Sequence, residues 1–162
     1  MIRYIYIFIL IIFGCNSNSI ESPEKLWEQV KEFRTQKDLQ NAITNCKTIL
    51  SEYSKNELAP TALFQIGDIY LNDVQDYDFA ISYFKEVVEK YPKSKECEKA
   101  SFMIGYIFAN YLDSYSDAEE NYNMFLNLFP ESELIQSVQF ELTTLEPLLK
   151  TIDSLNAIVG KE

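Results

Sequence analysis

The sequence contains no histidine and only four glycines in 162 residues. Without histidine, Ser-His-Asp and Cys-His nucleophile systems and most zinc sites are excluded. Four scattered glycines cannot supply a phosphate-cradling loop. Basic residues are also few: 14 Lys and Arg stand against 25 Asp and Glu, and the net charge of −11 disfavours binding to nucleic acid. We therefore expect no enzyme, no cofactor and no metal. The 47% of hydrophobic residues instead predict a packed binding module.

The first fourteen residues are typical of a secretory signal peptide. Arg3 is followed by the apolar run 4–13, which is shorter than the roughly 20 residues that a helix needs to cross a bilayer. The run ends at Ile12-Phe13-Gly14-Cys15, which resembles a bacterial lipobox. The resemblance implies that residues 1–14 are removed and that Cys15 carries acyl chains such as palmitate, with 15–22 as a short tether. The alternative is a plain signal peptide or membrane anchor with an incidental cysteine.

The residues near and beyond this cysteine indicate the compartment. Asn16 follows Cys15 and is compatible with the periplasmic face of the outer membrane. An exported protein could oxidise Cys46 and Cys97 to a disulfide. Because these two cysteines fall on different predicted helices with a whole repeat between them, we expect two free, buried thiols instead.

An internal repeat organises the rest of the chain. Residues 57–94 and 95–132 align without a gap, and the same offset leads back to a degenerate copy at 19–56. The two later copies share ten identical positions. These are Ala62/Ala100, Phe64/Phe102, Ile66/Ile104, Gly67/Gly105, Ile69/Ile107, Asn72/Asn110, Tyr77/Tyr115, Ala80/Ala118, Pro92/Pro130 and Ser94/Ser132. Such a repeat is the signature of a solenoid.

Each copy is predicted to contain two helices, because apolar residues recur at three- and four-residue steps. Asn72–Asp76 is expected to be a polar turn, with Asp76 capping the next helix. Ser94 is expected to cap the helix that follows it, and so is Ser132. Ser116 and Glu119 match a capping box for the second helix of the third copy.

The repeat resembles the tetratricopeptide pattern, which has a large residue, Leu-Gly and Tyr on its first helix and Ala, Phe and Pro on its second. The matching residues are Leu63, Ile66, Gly67, Tyr70, Ala80, Phe84 and Pro92, then Ser101, Ile104, Gly105, Phe108, Ala118, Tyr122 and Pro130. The small residues at Gly67 and Ala80 are expected where the two helices cross. The elongated repeats are most similar to those of bacterial envelope lipoproteins, of the outer-membrane assembly or Tol-Pal coordinator type. The resemblance implies an all-α solenoid over residues 23–162.

Residues 133–160 are expected to cap the solenoid, which would otherwise leave an apolar face exposed. A fourth first-helix opens near Leu134. Pro147 is then expected to start, or to kink, a last helix that runs to about Val159.

The binding site is expected on the concave face, along one stripe of the first helix of each copy. The candidate groove residues are Phe33, Arg34, Phe64, Asp68, Asn72, Phe102, Tyr106 and Asn110, with Leu26, Val30, Leu71 and Ala109 on the same stripe. Core burial is equally open for Phe64 and Phe102. The clamp that some tetratricopeptide proteins use for a peptide C-terminus needs more Lys and Arg than this stripe offers, so we do not transfer it. Aromatic and amide side chains suit an apolar or extended segment instead.

Acidic clusters have simpler explanations than a site. Asp68, Asp73, Asp76 and Asp78 lack the spacing of a calcium loop, and capping and solvation account for them. The sequence thus predicts a membrane-anchored module that binds another protein in a bacterial envelope. Membership of an outer-membrane assembly or Tol-Pal-like complex is one alternative, and a small-ligand carrier or enzyme accessory is another.

Overall fold

A computed structural model describes residues 21–159, which form seven α-helices. They are α1 (Pro23–Thr35), α2 (Leu39–Glu52), α3 (Leu58–Ile69), α4 (Tyr77–Lys90), α5 (Lys95–Asn110), α6 (Tyr115–Leu128) and α7 (Ile135–Val159). We call α1, α3 and α5 helices A and α2, α4 and α6 helices B. Consecutive helices pack together, and helices A also contact one another, α1 with α3 and α3 with α5. The fold is the predicted all-α solenoid of tetratricopeptide-like pairs. The signal peptide and Cys15 lie outside the described residues.

The core consists of three apolar clusters, one around each helix pair and its neighbour. The first joins α1, α2 and α3, the second α3, α4 and α5, and the third α5, α6 and α7. Each cluster therefore spans a junction between repeats, which is how a solenoid buries a continuous core.

Within each pair, a small residue on one helix faces a larger one on its partner. A Cβ atom added to Gly67 would lie 2.8 Å from the ring of Phe84, and one added to Gly105 would lie 2.7 Å from the ring of Tyr122. Gly67 thus lies at the helix crossing, as predicted. In the first pair the sizes are reversed, because Gln29 replaces the glycine and the buried Cys46 replaces the ring.

The corner between helices A and B contains one left-handed residue at the same place in all three pairs. Lys37, Gln75 and Asp113 occupy the same position in successive copies of the repeat, two positions before the first residue of each helix B. Their φ angles are 62°, 61° and 51°.

The expected polar turn at Asn72–Asp76 is partly wrong, because helical hydrogen bonding continues through a π-helical turn at Tyr70–Val74. The π turn takes up an extra residue without unwinding the helix.

The predicted helix caps are partly confirmed. Asp76 accepts a hydrogen bond from the backbone N–H of Phe79 at 3.1 Å, and Ser94 accepts one from Cys97 at 3.2 Å. The capping box at Ser116 is wrong, because α6 already begins at Tyr115 with Ser114 as its N-cap. The side chain of Ser114 caps no backbone N–H of α6; its hydroxyl donates instead to the carboxylate of Asp117.

The N-terminal end of α7 also differs from the prediction. Ser132 accepts a hydrogen bond from the N–H of Leu134 at 3.1 Å, but the helix begins only at Ile135. The hydroxyl of Ser132 also donates to Glu98 at 2.7 Å. Ser132 therefore shapes the turn into α7 and ties it to α5.

The C-terminal cap is a single helix rather than two. α7 runs without a break from Ile135 to Val159, with Pro147 inside it. Proline costs one backbone hydrogen bond there, but the following residues Leu148, Leu149 and Lys150 are strong helix formers that continue the helix. No helix within residues 21–159 has both the length and the apolar character that a membrane crossing requires.

Candidate functional site

Some of the candidate groove residues recur from repeat to repeat along the layer of helices A. Arg34, Asn72 and Asn110 occupy equivalent positions of the three copies, on α1, the π turn and α5. Arg34 reaches across the repeat boundary, where its Nη1 atom lies 2.5 Å from Oδ2 of Asp68. This contact shows that neighbouring stripes lie side by side. We call Arg34, Asp68, Asn72, Phe102, Tyr106 and Asn110 the helix A row.

The first end of the row is a polar network. Nε of Arg34 donates to Oδ2 of Asp73 at 3.1 Å, and Nζ of Lys37 donates to Oδ1 of the same carboxylate at 2.7 Å. Burial opposes the charge on Asp73, but the hydrogen bond from Lys37 and the charge of Arg34 outweigh it and lower the pKa of Asp73. Nδ2 of Asn72 donates to Asp68 at 2.7 Å. The network joins the first repeat to the second.

A cleft of about 470 Å³ opens beside this network, between α1 and α3. Its walls include Val30, Lys31, Arg34, Thr35, Lys37, Gln65 and Asp73. The Nε2 atom of Gln65 is buried and has no hydrogen-bond acceptor. A buried donor without a partner costs about 1–3 kcal/mol, so an acceptor that entered the cleft would recover that free energy.

The other end of the row is aromatic. The rings of Phe102 and Tyr106 stack with their centroids 6.0 Å apart. Tyr106 meets Tyr111 edge to face at 6.1 Å, and Tyr111 lies 4.7 Å from Tyr77. Nδ2 of the exposed Asn110 donates to the carbonyl of Tyr106 at 3.0 Å. Apolar ring faces and an amide thus lie close together here.

Several residues of the predicted stripe belong to the core instead. Leu26, Val30 and Leu71 are buried. The predicted stripe was wider than the exposed face of helices A and therefore included these core positions. Phe33 is partly buried against the first core cluster. Phe64 is half-buried with its ring 5.0 Å from Phe84, so it contributes to the core of the second repeat.

Sequence reasoning missed Lys37, Asp73, Gln65, Tyr77 and Tyr111. Lys37 and Asp73 lie in the corners after helices A, where a helical stripe gives no signal. The identity of Tyr77 with Tyr115 in the repeat alignment was a signal that could have been followed. Nothing in the repeat identifies Tyr111, since its equivalent is Asp73.

The remaining sequence candidates have structural roles. Cys46 and Cys97 are free and buried, as predicted, and burial raises the pKa of Cys46 to about 12. Asp76 caps α4, while Asp68 and Asp73 pair with Arg34. Within residues 21–159, no group of three or more His, Cys, Asp or Glu side chains could hold a metal ion.

Stacked helix pairs with a polar and aromatic row define a tetratricopeptide-type solenoid, a class that binds other proteins. Residues 56–145 match the family YfiO, described as outer membrane lipoprotein. The match spans more than half of the 162 residues, and the chain belongs to this family. Membership supports a location in the cell envelope and a role in protein interaction. Comparison with curated proteins gives no match.

Proposed function

We propose that the protein is a non-catalytic adaptor that is lipid-anchored at Cys15 and holds a partner protein at the periplasmic face of the outer membrane. A segment of the partner binds in extended form along the helix A row. The observation that carries this proposal is the cleft between α1 and α3, where the buried Nε2 of Gln65 lacks an acceptor. A backbone carbonyl of an extended segment is the acceptor that such a donor suits.

The row offers two kinds of contact along its length. At the polar end, the amide of Gln65 in the adjoining cleft is free to donate. The amide of Asn72 donates to Asp68. At the other end, the half-buried ring of Tyr106 stacks on Phe102, which is itself packed against the third core cluster. Aromatic side chains often supply much of the binding free energy of an interface, about 2 kcal/mol or more each at a hot spot. An extended segment with an apolar residue at one end therefore fits the row. We also infer that the protein is a member of an envelope assembly complex.

The cleft is tested most sharply by Gln65→Met. Met103 occupies the equivalent position of the third repeat, so this environment already accepts methionine. The substitution removes a buried donor without an acceptor, so the free energy of unfolding should stay the same or rise. Capture of the partner by crosslinking in envelope extracts should fall several-fold. Full capture by a folded Gln65→Met protein would contradict the role of the cleft.

The aromatic end is tested by Tyr106→Ala combined with Asn110→Ala. We expect the melting temperature to stay within a few degrees and the crosslinked partner to be lost. The matched control is Phe79→Ala with Asn123→Ala, which removes an exposed ring and an exposed amide from helices B. If the control loses the partner equally, the binding surface is not the row. A co-purifying small molecule without a stoichiometric protein would favour a ligand carrier instead.

A further inference from the structure

The last helix, α7, is a fourth helix A by register. The offset that carries 57–94 onto 95–132 also carries Ala100 onto Val138 and Ile107 onto Leu145. All four residues are buried. Val138 and Leu145 belong to the third core cluster. α7 thus uses the same face as α5 to pack on the preceding repeat.

What differs is the face that its own helix B would cover. Phe64 and Phe102 lie against rings of helices B, with centroids 5.0 Å from Phe84 and 5.9 Å from Tyr122. Phe140 is the next residue in this series and is 70% exposed. The reason is that α7 continues as one helix to Val159, past the position at which α5 ends and the chain turns back. Within residues 21–159, no helix covers Phe140.

The C-terminal half of α7 is itself an unpaired amphipathic helix. Its exposed apolar residues are Leu148, Ile152, Leu155 and Ile158. At about 100° per residue, Phe140, Leu148, Leu155 and Ile158 fall within an arc of about 80°. The charged residues Glu146, Lys150 and Asp153 fall on the opposite side of the helix. We call the apolar side the α7 stripe; it adjoins the face that packs on α6.

We propose that the α7 stripe binds the α7 stripe of a second copy of this chain. Each copy has both an uncovered helix A face at Phe140 and a surplus amphipathic segment beyond Pro147. It cannot join the two itself, because both belong to one continuous helix that does not turn back between Phe140 and Val159. Two copies in antiparallel arrangement, with Leu148 at the two-fold axis, place Leu155 of one beside Phe140 of the other. The contact is isologous and closes as a dimer. The segment from the second copy then takes the place of the missing helix B.

Charge gives this pairing a salt dependence. The chain carries a net charge of −11, which repels a second copy at long range. On the α7 stripe itself the nearest charged residue is Glu141, which falls between Leu148 and Ile152 at the edge of the stripe. Added salt screens the repulsion and leaves apolar contacts in place, so it should strengthen the dimer.

The first test uses the symmetry of the proposed contact in the full chain with Cys15→Ser, in mild detergent. Leu148→Cys lies at the axis and should form a disulfide-linked dimer readily on mild oxidation. Lys150→Cys, two residues away on the charged side, is the matched control and should crosslink several-fold more slowly. Cys46 and Cys97 are buried and should not compete. Equal rates for the two variants would overturn the proposal.

The second test measures mass by sedimentation without any crosslink. The parent chain should have twice the monomer mass, and Phe140→Asp should return it to monomer. Gln139→Asp adds the same charge to the neighbouring exposed position and should leave the dimer intact. Because Phe140 is 70% exposed, both variants should keep the helical circular dichroism of the parent. A parent chain that is monomeric at all concentrations, with or without salt, would refute the dimer.

Discussion

The contact between each glycine on a helix A and the ring on its helix B fixes how closely the two helices approach. Gly105 leaves space for Tyr122, which is fully buried and has no room to move away. Sequence reasoning located this contact because glycine and a ring recur at the same offset in two copies. The same offset placed Gln29 where the glycine should be in the degenerate first copy, and the buried Cys46 stands there in place of the ring.

We expect Gly105→Ala to destabilise the fold, because the new Cβ would lie 2.7 Å from two atoms of the Tyr122 ring. Alanine is favoured over glycine in a helix by about 1 kcal/mol, but overpacking costs about 1–3 kcal/mol. A net loss in the free energy of unfolding should be measurable by urea denaturation followed by circular dichroism.

A double-mutant cycle separates the clash from other effects of Gly105→Ala. In a Tyr122→Leu background, the ring is absent and Gly105→Ala should be neutral or stabilising. The same loss in both backgrounds would show that the ring is not the obstacle.

Other residue-scale features were beyond the reach of periodicity. Arg34 was expected to bind a partner, whereas it also bridges two carboxylates of the next repeat at 2.5 and 3.1 Å. That contact depends on where the π turn places Asp73, and a π turn is a pattern of backbone hydrogen bonds with no side-chain signature.

The helices were predictable as elements, but some of their ends were not. Six helices follow the repeat, and the caps at Asp76 and Ser94 were identified by residue type. The start of α6 was missed because two serines, Ser114 and Ser116, stand two residues apart with an acidic residue three positions after each. Local sequence could not decide which of these two serines is the N-cap.

Proline was an ambiguous signal in α7. Pro147 was expected to start or to kink a helix; it does not start one, because it lies inside one continuous helix of 25 residues. Proline in a helix interior costs about 3 kcal/mol relative to alanine, so the segment after it should open more easily than the rest of the fold.

We expect Pro147→Ala to restore the missing backbone hydrogen bond and to slow amide exchange over residues 148–158. Hydrogen exchange read by mass spectrometry would measure this protection directly. Pro60→Ala is the matched control: Pro60 lies in the first turn of α3, where an N–H has no helical partner, so exchange should change little. Unchanged exchange over 148–158 in the Pro147→Ala protein would argue against a continuous α7.

At the scale of the whole molecule, the fold followed from the repeat because one supersecondary unit occurs three times. A solenoid needs only contacts between neighbouring units, so the single offset that relates 57–94 to 95–132 was enough to predict its architecture. The path of α7 beyond the repeats was not predictable in this way. Register holds as far as Leu145 and is lost after Pro147, and Thr143 replaces the glycine that helix A needs beside a ring.

The proposed lipid anchor at Cys15 would set the position of the solenoid in the cell. The tether after it, 16–22, spans at most about 25 Å, so an anchored domain would stay close to the bilayer. A single acyl chain gives only marginal binding, whereas two or three chains hold a protein at a membrane.

If Cys15 is the acylated residue, Cys15→Ser should abolish labelling with a radioactive fatty acid and release the protein from the membrane fraction. Cys46→Ser and Cys97→Ser are matched controls, because both thiols are buried and should not be acylated in the folded protein. Labelling that persists in the Cys15→Ser protein, or that disappears with Cys46→Ser, would show that the anchor is elsewhere.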